Sequence, residues 1–140
     1  MPLNRELVKK IARAALDEDK ASRDITTLDF IQNDVEVEAR IIAKESGIVS
    51  GLDLAREVFA AFDPRLRISM SSRDGQKIRR LQTVLKIRGR GRSVLSAERV
   101  ALNFISYLSG ISTQTRAAVD RVRRAGIRIL DTRKTTPLLR

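Results

Sequence analysis

Apolar positions along the chain change their period several times. Leu7, Val8, Ile11, Ala12, Ala15 and Leu16 recur at helical spacing and predict a helix from about Asn4 to Asp17, with Asn4 as N-cap. The polar run from Glu18 to Asp24 reads as a loop. Val35, Val37, Ala39 and Ile41 then alternate with Asp34, Glu36, Glu38 and Arg40, the period of a half-buried strand. Gly47 and Gly51 bracket a short apolar piece that fits a tight turn or an edge contact. Leu52, Ala55, Val58, Phe59 and Phe62 predict a second helix that stops near Asp63-Pro64. Leu66, Ile68 and Met70 alternate as a strand, Asp74-Gly75 marks a turn, and Val84 to Arg88 forms the next strand, with Leu85 and Ile87 on the face opposite Val84.

Arg88-Gly89-Arg90-Gly91-Arg92 ends that strand, and a single Gly-x-Gly reads by default as a hairpin or strand-to-helix turn. The residues from Val94 to Leu108 are apolar on more than one side, which predicts a buried helix with Gly110 as its C-cap. Thr115 to Ala125 predicts another helix ended by Gly126. Ile127, Ile129 and Leu130 predict a short strand that leaves into the polar loop Asp131 to Pro137. Strands and helices mix, with antiparallel-type alternation before a helix–helix–strand tail. The expected class is α+β, a sandwich over residues 1–110.

Composition narrows the chemistry. With no Cys and no His among 140 residues, disulfides, thiolate nucleophiles, common zinc sites and Ser-His-Asp catalysis are excluded for this chain acting alone. No apolar stretch is long enough for a membrane span, and Met1 to Glu6 does not resemble a signal peptide, so a cytoplasmic protein without membrane contact is expected. Residues 1–64 carry 9 basic and 13 acidic side chains, whereas residues 65–140 carry 19 and 4. The second half therefore attracts anions. With aromatics at 4%, it has little stacking surface for nucleic acid.

Two segments stand out. Arg133 offers a planar fork for carboxylate or phosphate, Lys134 a movable point charge, and Thr132, Thr135 and Thr136 hydroxyl donors. The bland alternative is a solvated turn. In Ala97-Glu98-Arg99-Val100, a Glu–Arg pair opens a largely apolar helix, and charge near buried surface needs a partner. The bland alternative there is an exposed first turn favoured by the helix dipole. Arg79-Arg80 and Arg121, Arg123 and Arg124 read as solvated faces, and Glu18, Asp19 and Asp24 as a charged loop rather than metal ligands.

Several stretches together resemble the N-terminal part of the quinolinate phosphoribosyltransferase family, also called carboxylating nicotinate-nucleotide pyrophosphorylases. They are Glu18-Asp19 with Asp24-Ile25-Thr26, Gly47 to Gly51 and its helix, Asp74-Gly75, Ala97 to Phe104, Leu108 to Thr115, and Asp131 to Pro137. The resemblance implies an N-terminal α/β sandwich domain (residues 1–110) followed by the first elements of an incomplete α/β barrel (residues 111–140). It implies transfer of phosphoribose from phosphoribosyl pyrophosphate to quinolinate with Mg²⁺, releasing carbon dioxide and pyrophosphate and giving nicotinate mononucleotide for NAD biosynthesis. It implies a homodimer or higher oligomer in which Arg99 enters the partner subunit's site, while Thr132, Arg133 and Lys134 line the site of their own barrel. Arg99 and Arg133 are assigned to the quinolinate carboxylates, Lys134 to carboxylate or phosphate, and Thr132 to a second contact. No catalytic residue and no Mg²⁺ ligand is assigned within this chain.

Departures accompany the likeness. A complete α/β barrel takes about 200–250 residues, so a chain of 140 is expected to be a fragment, a decayed gene product or a short form, inactive alone. Leu138, Leu81 and Arg23 stand where the family commonly has Gly, and Leu does not easily take positive φ, so altered loops are expected at 81 and 138. The competing readings are a basic nucleic-acid-binding module, a non-catalytic dimerisation partner, and a molybdenum-associated paralogue of the same fold.

Overall fold

The structure is a computed structural model that describes residues 4–33, 35–132 and 134. The first helix, α1 (Arg5–Glu18), begins where Asn4 Oδ1 accepts the backbone N–H groups of Glu6 and Leu7 at 3.0 and 3.3 Å. That satisfies two of the amides a helix start leaves unpaired. Its buried residues are Ala12 and Leu16, on the predicted apolar stripe. A 3-10 turn, Ala21–Arg23, and a short helix, α2 (Ile25–Phe30), follow. Sequence periodicity does not reveal α2, because six residues are too few to show a helical period. Its signal is chemical: Asp24 accepts the Thr27 amide at 3.2 Å and the Thr27 hydroxyl at 2.6 Å.

The main sheet is antiparallel in the order β1 (Glu36–Ile42), β5 (Thr83–Arg90), β3 (Arg67–Met70). Ala39 and Ile68 both face Ile87 in register, so one side of the sheet is a continuous apolar surface of Val37, Ala39, Ile41, Ile68, Met70, Leu85 and Ile87. The opposite side carries Glu36, Glu38, Arg40, Arg67, Lys86, Arg88 and Arg90, all exposed. Leu85 and Ile87 oppose Val84 as predicted, yet Val84 is buried too, beside the register shift between Ile41 and Ile42. A second, two-stranded sheet pairs β2 (Gly47–Ile48) with β4 (Lys77–Ile78). Helix α3 (Leu52–Phe62) and helix α4 (Gly91–Val122) complete the apolar layer, with α1 packed outside on α3. Phe59, Leu52, Leu85, Ile87, Val49, Val58 and Val84 are fully buried, each worth about 1.5–3 kcal/mol of transfer free energy. The expected α+β class is the observed one.

Three expectations are corrected. The strand expected to end at Arg88 runs through Arg90, and the Gly91 N–H, at the first residue of the helix, still donates to Val35 O at 2.8 Å. Two helices are expected on either side of Gly110, whereas α4 is one helix of 32 residues. A single helical Gly costs only about 1 kcal/mol against Ala, and contacts on either side of it hold α4 straight through: Ser109 and Thr113 both bond the β2 segment. The α4 path ends in a 3-10 turn, Arg123–Ala125, with Gly126 at φ +68, the terminator expected there. Ile127, Ile129 and Leu130 form no strand. A strand needs a hydrogen-bonded neighbour, and none lies beside them among the described residues. All three are exposed.

Leu81 adopts the left-handed backbone that a Leu does not easily take. It takes φ +67 itself, and its N–H donates to Ala43 O at 2.8 Å. The turn keeps a glycine-type backbone and carries the strain. Leu138 lies outside the described residues.

Candidate functional site

Helix α4 positions Arg99 one turn past Leu95, on the side away from buried Ala97, Val100 and Ala101. The guanidinium is held from across the fold. Its Nε donates to Asp19 Oδ1 at 2.7 Å and its Nη2 to Asp19 Oδ2 at 2.9 Å, a two-bond fork. Asp19 is the C-cap of α1, and its N–H donates to Ala15 O at 3.0 Å. Lys20 follows in the left-handed region at φ 54 and turns the chain toward the 3-10 segment. The Arg99 side chain remains 64% exposed while that of Asp19 is only 19% exposed. The hydrogen bonds to Asp19 raise the Arg99 pKa above its usual value, so its charge is constant at any working pH.

Asp24 stands behind this pair. Its carboxylate accepts Thr27 twice and the Ser96 hydroxyl at 3.5 Å. The Thr27 hydrogen bonds, and then the field of Arg99, hold its pKa below the ordinary carboxylate value. Two pairings thus lie within one another's field: Arg99 of α4 with Asp19 at the end of α1, and Asp24 at the start of α2 with Ser96 of α4. The sequence signal for the partnership is the Glu98-Arg99 pair opening an apolar stretch of helix, where charge near buried surface needs a partner. The spacing of 80 residues hides which one.

Of the other predicted residues, Thr132 and Lys134 are exposed, and the Lys134 N–H donates to the Thr132 hydroxyl at 3.2 Å. Arg133, Thr135 and Thr136 lie outside the described residues. Among the described residues, no hydrogen bond or ion pair links the 132–134 segment to Arg99 within one chain. The Arg-Gly run braces the fold, because the Arg92 guanidinium donates to Ile31 O at 2.6 Å and Leu28 O at 2.8 Å and closes the end of α2. Among the described residues no group of three or more acidic side chains is placed to hold a metal ion. No set of three protein donors for the Mg²⁺ that the resemblance implies lies there, and such an ion is commonly held by substrate phosphates and one or two carboxylates.

The remaining motif residues support the scaffold. Asp74 accepts the N–H groups of Gly51 and Leu52 at 3.1 and 2.9 Å and so caps α3. The Ser109 hydroxyl accepts Ser50 N–H at 2.9 Å, and Thr113 Oγ1 accepts Ile48 N–H at 2.9 Å. Gly51, at φ +91, and Gly47 permit this contact: a Cβ at 51 would meet Phe104 O at 3.1 Å, and one at 47 would meet Thr113 Oγ1 at 2.6 Å. Beside the clasp, a groove of about 710 Å³ runs between the β1–β2 loop and α4.

Comparison with known proteins follows the same lines. The profile of the family described as quinolinate phosphoribosyl transferase, N-terminal domain, matches residues 24–109. The chain is 42% identical over 134 residues to quinolinate phosphoribosyltransferase [decarboxylating] 1b of Nicotiana tabacum, covering 95% of this chain and 38% of that one. It is 36% identical over 138 residues to the probable nicotinate-nucleotide pyrophosphorylase [carboxylating] of Bacillus subtilis, covering 99% of this chain and 47% of the relative. Among solved structures, NadC from Streptococcus pyogenes superposes with a TM-score of 0.92 at 36% identity, covering 99% of this chain and 50% of that one. The nicotinate-nucleotide pyrophosphorylase from Francisella tularensis superposes with a TM-score of 0.90 at 35% identity, over 97% and 48%. The chain thus spans half or less of the length of these relatives.

Proposed function

Because the chain belongs to the quinolinate phosphoribosyltransferase family through its N-terminal domain, we propose that it serves the transfer of phosphoribose from phosphoribosyl pyrophosphate to quinolinate, giving nicotinate mononucleotide, carbon dioxide and pyrophosphate. Residues 1–110 form the sandwich domain in this reading, and residues 111–140 begin the barrel, with α4 bridging the two. Arg99 reaches the acid-binding site of a second subunit. Thr132, Arg133 and Lys134 contact substrate in their own subunit. Mg²⁺ accompanies phosphoribosyl pyrophosphate, and the setting is cytoplasmic.

The observation that carries this reading is Arg99: a two-thirds exposed guanidinium, permanently charged and forked onto Asp19, on the part of α4 whose other face is buried. Quinolinate is a dianion and its co-substrate a polyanion, so bringing them together needs fixed positive charge to offset their repulsion. A planar fork orients a carboxylate, and through it the pyridine ring, better than an ammonium would. The exposed Ile127, Ile129 and Leu130 also fit a segment whose packing partners lie in a barrel.

The test is complementation in trans. A full-length Bacillus subtilis relative whose arginine aligned with Arg99 is changed to Ala is mixed with this chain, quinolinate, phosphoribosyl pyrophosphate and Mg²⁺. Restored nicotinate mononucleotide formation, absent when the chain carries R99A, is expected. Equal restoration by the R99A chain, or none by the wild-type chain despite heterodimer formation, overturns the reading.

A further inference from the structure

Asp19 has no role in the reading above, and its geometry gives it one. An arginine side chain is long and samples many rotamers, so an exposed one ordinarily loses entropy when it engages a ligand. For Arg99 a partner opposes that freedom. Asp19 takes Nε and Nη2 at 2.7 and 2.9 Å, the short distances of a charge-assisted fork. A guanidinium has five N–H donors, and this fork uses one on each of two nitrogens. Three remain, two of them side by side on the Nη1–Nη2 edge, for an acid arriving from solvent or from another subunit. The carboxylate is itself fixed: Asp19 ends α1, its amide is bonded to Ala15 O, and Lys20 accepts a left-handed backbone to make the turn. Asp24, anchored by Thr27 and Ser96, adds a second negative field behind the guanidinium.

We infer that Asp19 is a positioning residue: it orders Arg99 before the substrate arrives, so that the free guanidinium edge meets a carboxylate of the pyridine acid already oriented. This rests on the reading of Arg99 as an acid-binding group. Asp19 touches no substrate itself. Its negative charge weakens the raw attraction of Arg99 for an anion, so the inference opposes the simple electrostatic expectation that removing Asp19 tightens binding. Pre-ordering outweighs that loss because the Arg side chain would otherwise have to be immobilised at the moment of binding.

The experiment pairs the nitrogen-15-labelled 140-residue chain with the unlabelled arginine-deficient full-length relative, which supplies the acid site, and follows the Arg99 guanidinium by NMR, assigned through R99K, with quinolinate as the probe. In the wild type, an exchange-protected Nε–H and separately resolved Nη–H signals are expected, the signature of a clamped group. D19A collapses them to the averaged signals of a free arginine while leaving the backbone amide spectrum otherwise intact. It weakens the quinolinate affinity read from the titrated shift at Arg99 by about five- to tenfold, what re-ordering one long side chain costs. D19E, which keeps the carboxylate on a longer stem, recovers part of both. An averaged Arg99 signal in the wild type overturns the inference outright. A clamped wild type whose quinolinate affinity is unchanged or improved by D19A overturns it too, and leaves the acid-binding role of Arg99 standing. A clamped wild type that quinolinate does not shift at Arg99 overturns both.

Discussion

Leu81 and Asp63 show how single side chains set the stability of this domain. Leu81 holds φ +67 with the residue 70% exposed, so it has little packing to offset the left-handed backbone. That conformation costs an L-residue roughly 1–2 kcal/mol, against a smaller entropic penalty for Gly. L81G is therefore expected to raise the unfolding free energy by about 0.5–1 kcal/mol in urea titration, and a loss would contradict the strain argument. Asp63 is buried and accepts the Arg65 guanidinium at 2.8 and 3.0 Å and the Ser93 hydroxyl at 2.7 Å, tying the end of α3 to the first turn of α4. The Arg65 hydrogen bond outweighs desolvation and holds its pKa well below the usual carboxylate range. A depressed folded pKa gives stability that is complete above the unfolded value, near 4, and drains away as pH falls below it. D63N should flatten that acid limb of a stability–pH curve. D63A should cost about 2–4 kcal/mol at neutral pH, since it leaves Ser93 without its carboxylate partner and removes the Arg65 pair.

Helix α4 carries Arg99 and also the largest departure from the sequence reading. Gly110 has nothing within 4 Å of where a Cβ would sit, and it lies inside regular helix. G110A should stabilise the protein by about 0.5–1 kcal/mol by thermal or chemical unfolding, whereas destabilisation would mean that α4 breaks at that residue. Most elements are legible because each repeats its period several times against one apolar layer: α1 and α3 match to within a residue or two. The helix join at Gly110 is not legible, because it is decided by Ser109 and Thr113 reaching residues about 60 positions earlier. The strand at 127–130 reads from its apolar run alone, and pairing cannot be inferred from one strand. The Arg99 fork is legible as a need for a carboxylate, but not as Asp19, since α1 and α4 meet only in the folded chain.

At the scale of the whole molecule, the strong positive charge of the second half is partly matched within the fold: Arg90 stands opposite Glu36 and Arg88 opposite Glu38 across the sheet. Filter binding is accordingly expected to show no salt-dependent retention of duplex DNA or RNA, and steep salt-sensitive retention would favour a nucleic-acid role instead. None of the described helices is long and apolar enough to cross a membrane. With a span of half or less of its relatives, the purified chain alone should form no nicotinate mononucleotide from quinolinate, phosphoribosyl pyrophosphate and Mg²⁺. The account rests on a guanidinium from one subunit meeting an acid in another. The most direct measurement is a crystal structure of the chain paired with the arginine-deficient full-length relative and soaked with quinolinate. A carboxylate oxygen within hydrogen-bond distance of the free Arg99 edge, across the subunit boundary, is the predicted result. Both carboxylates bound wholly by one subunit, with Arg99 facing solvent, would contradict it.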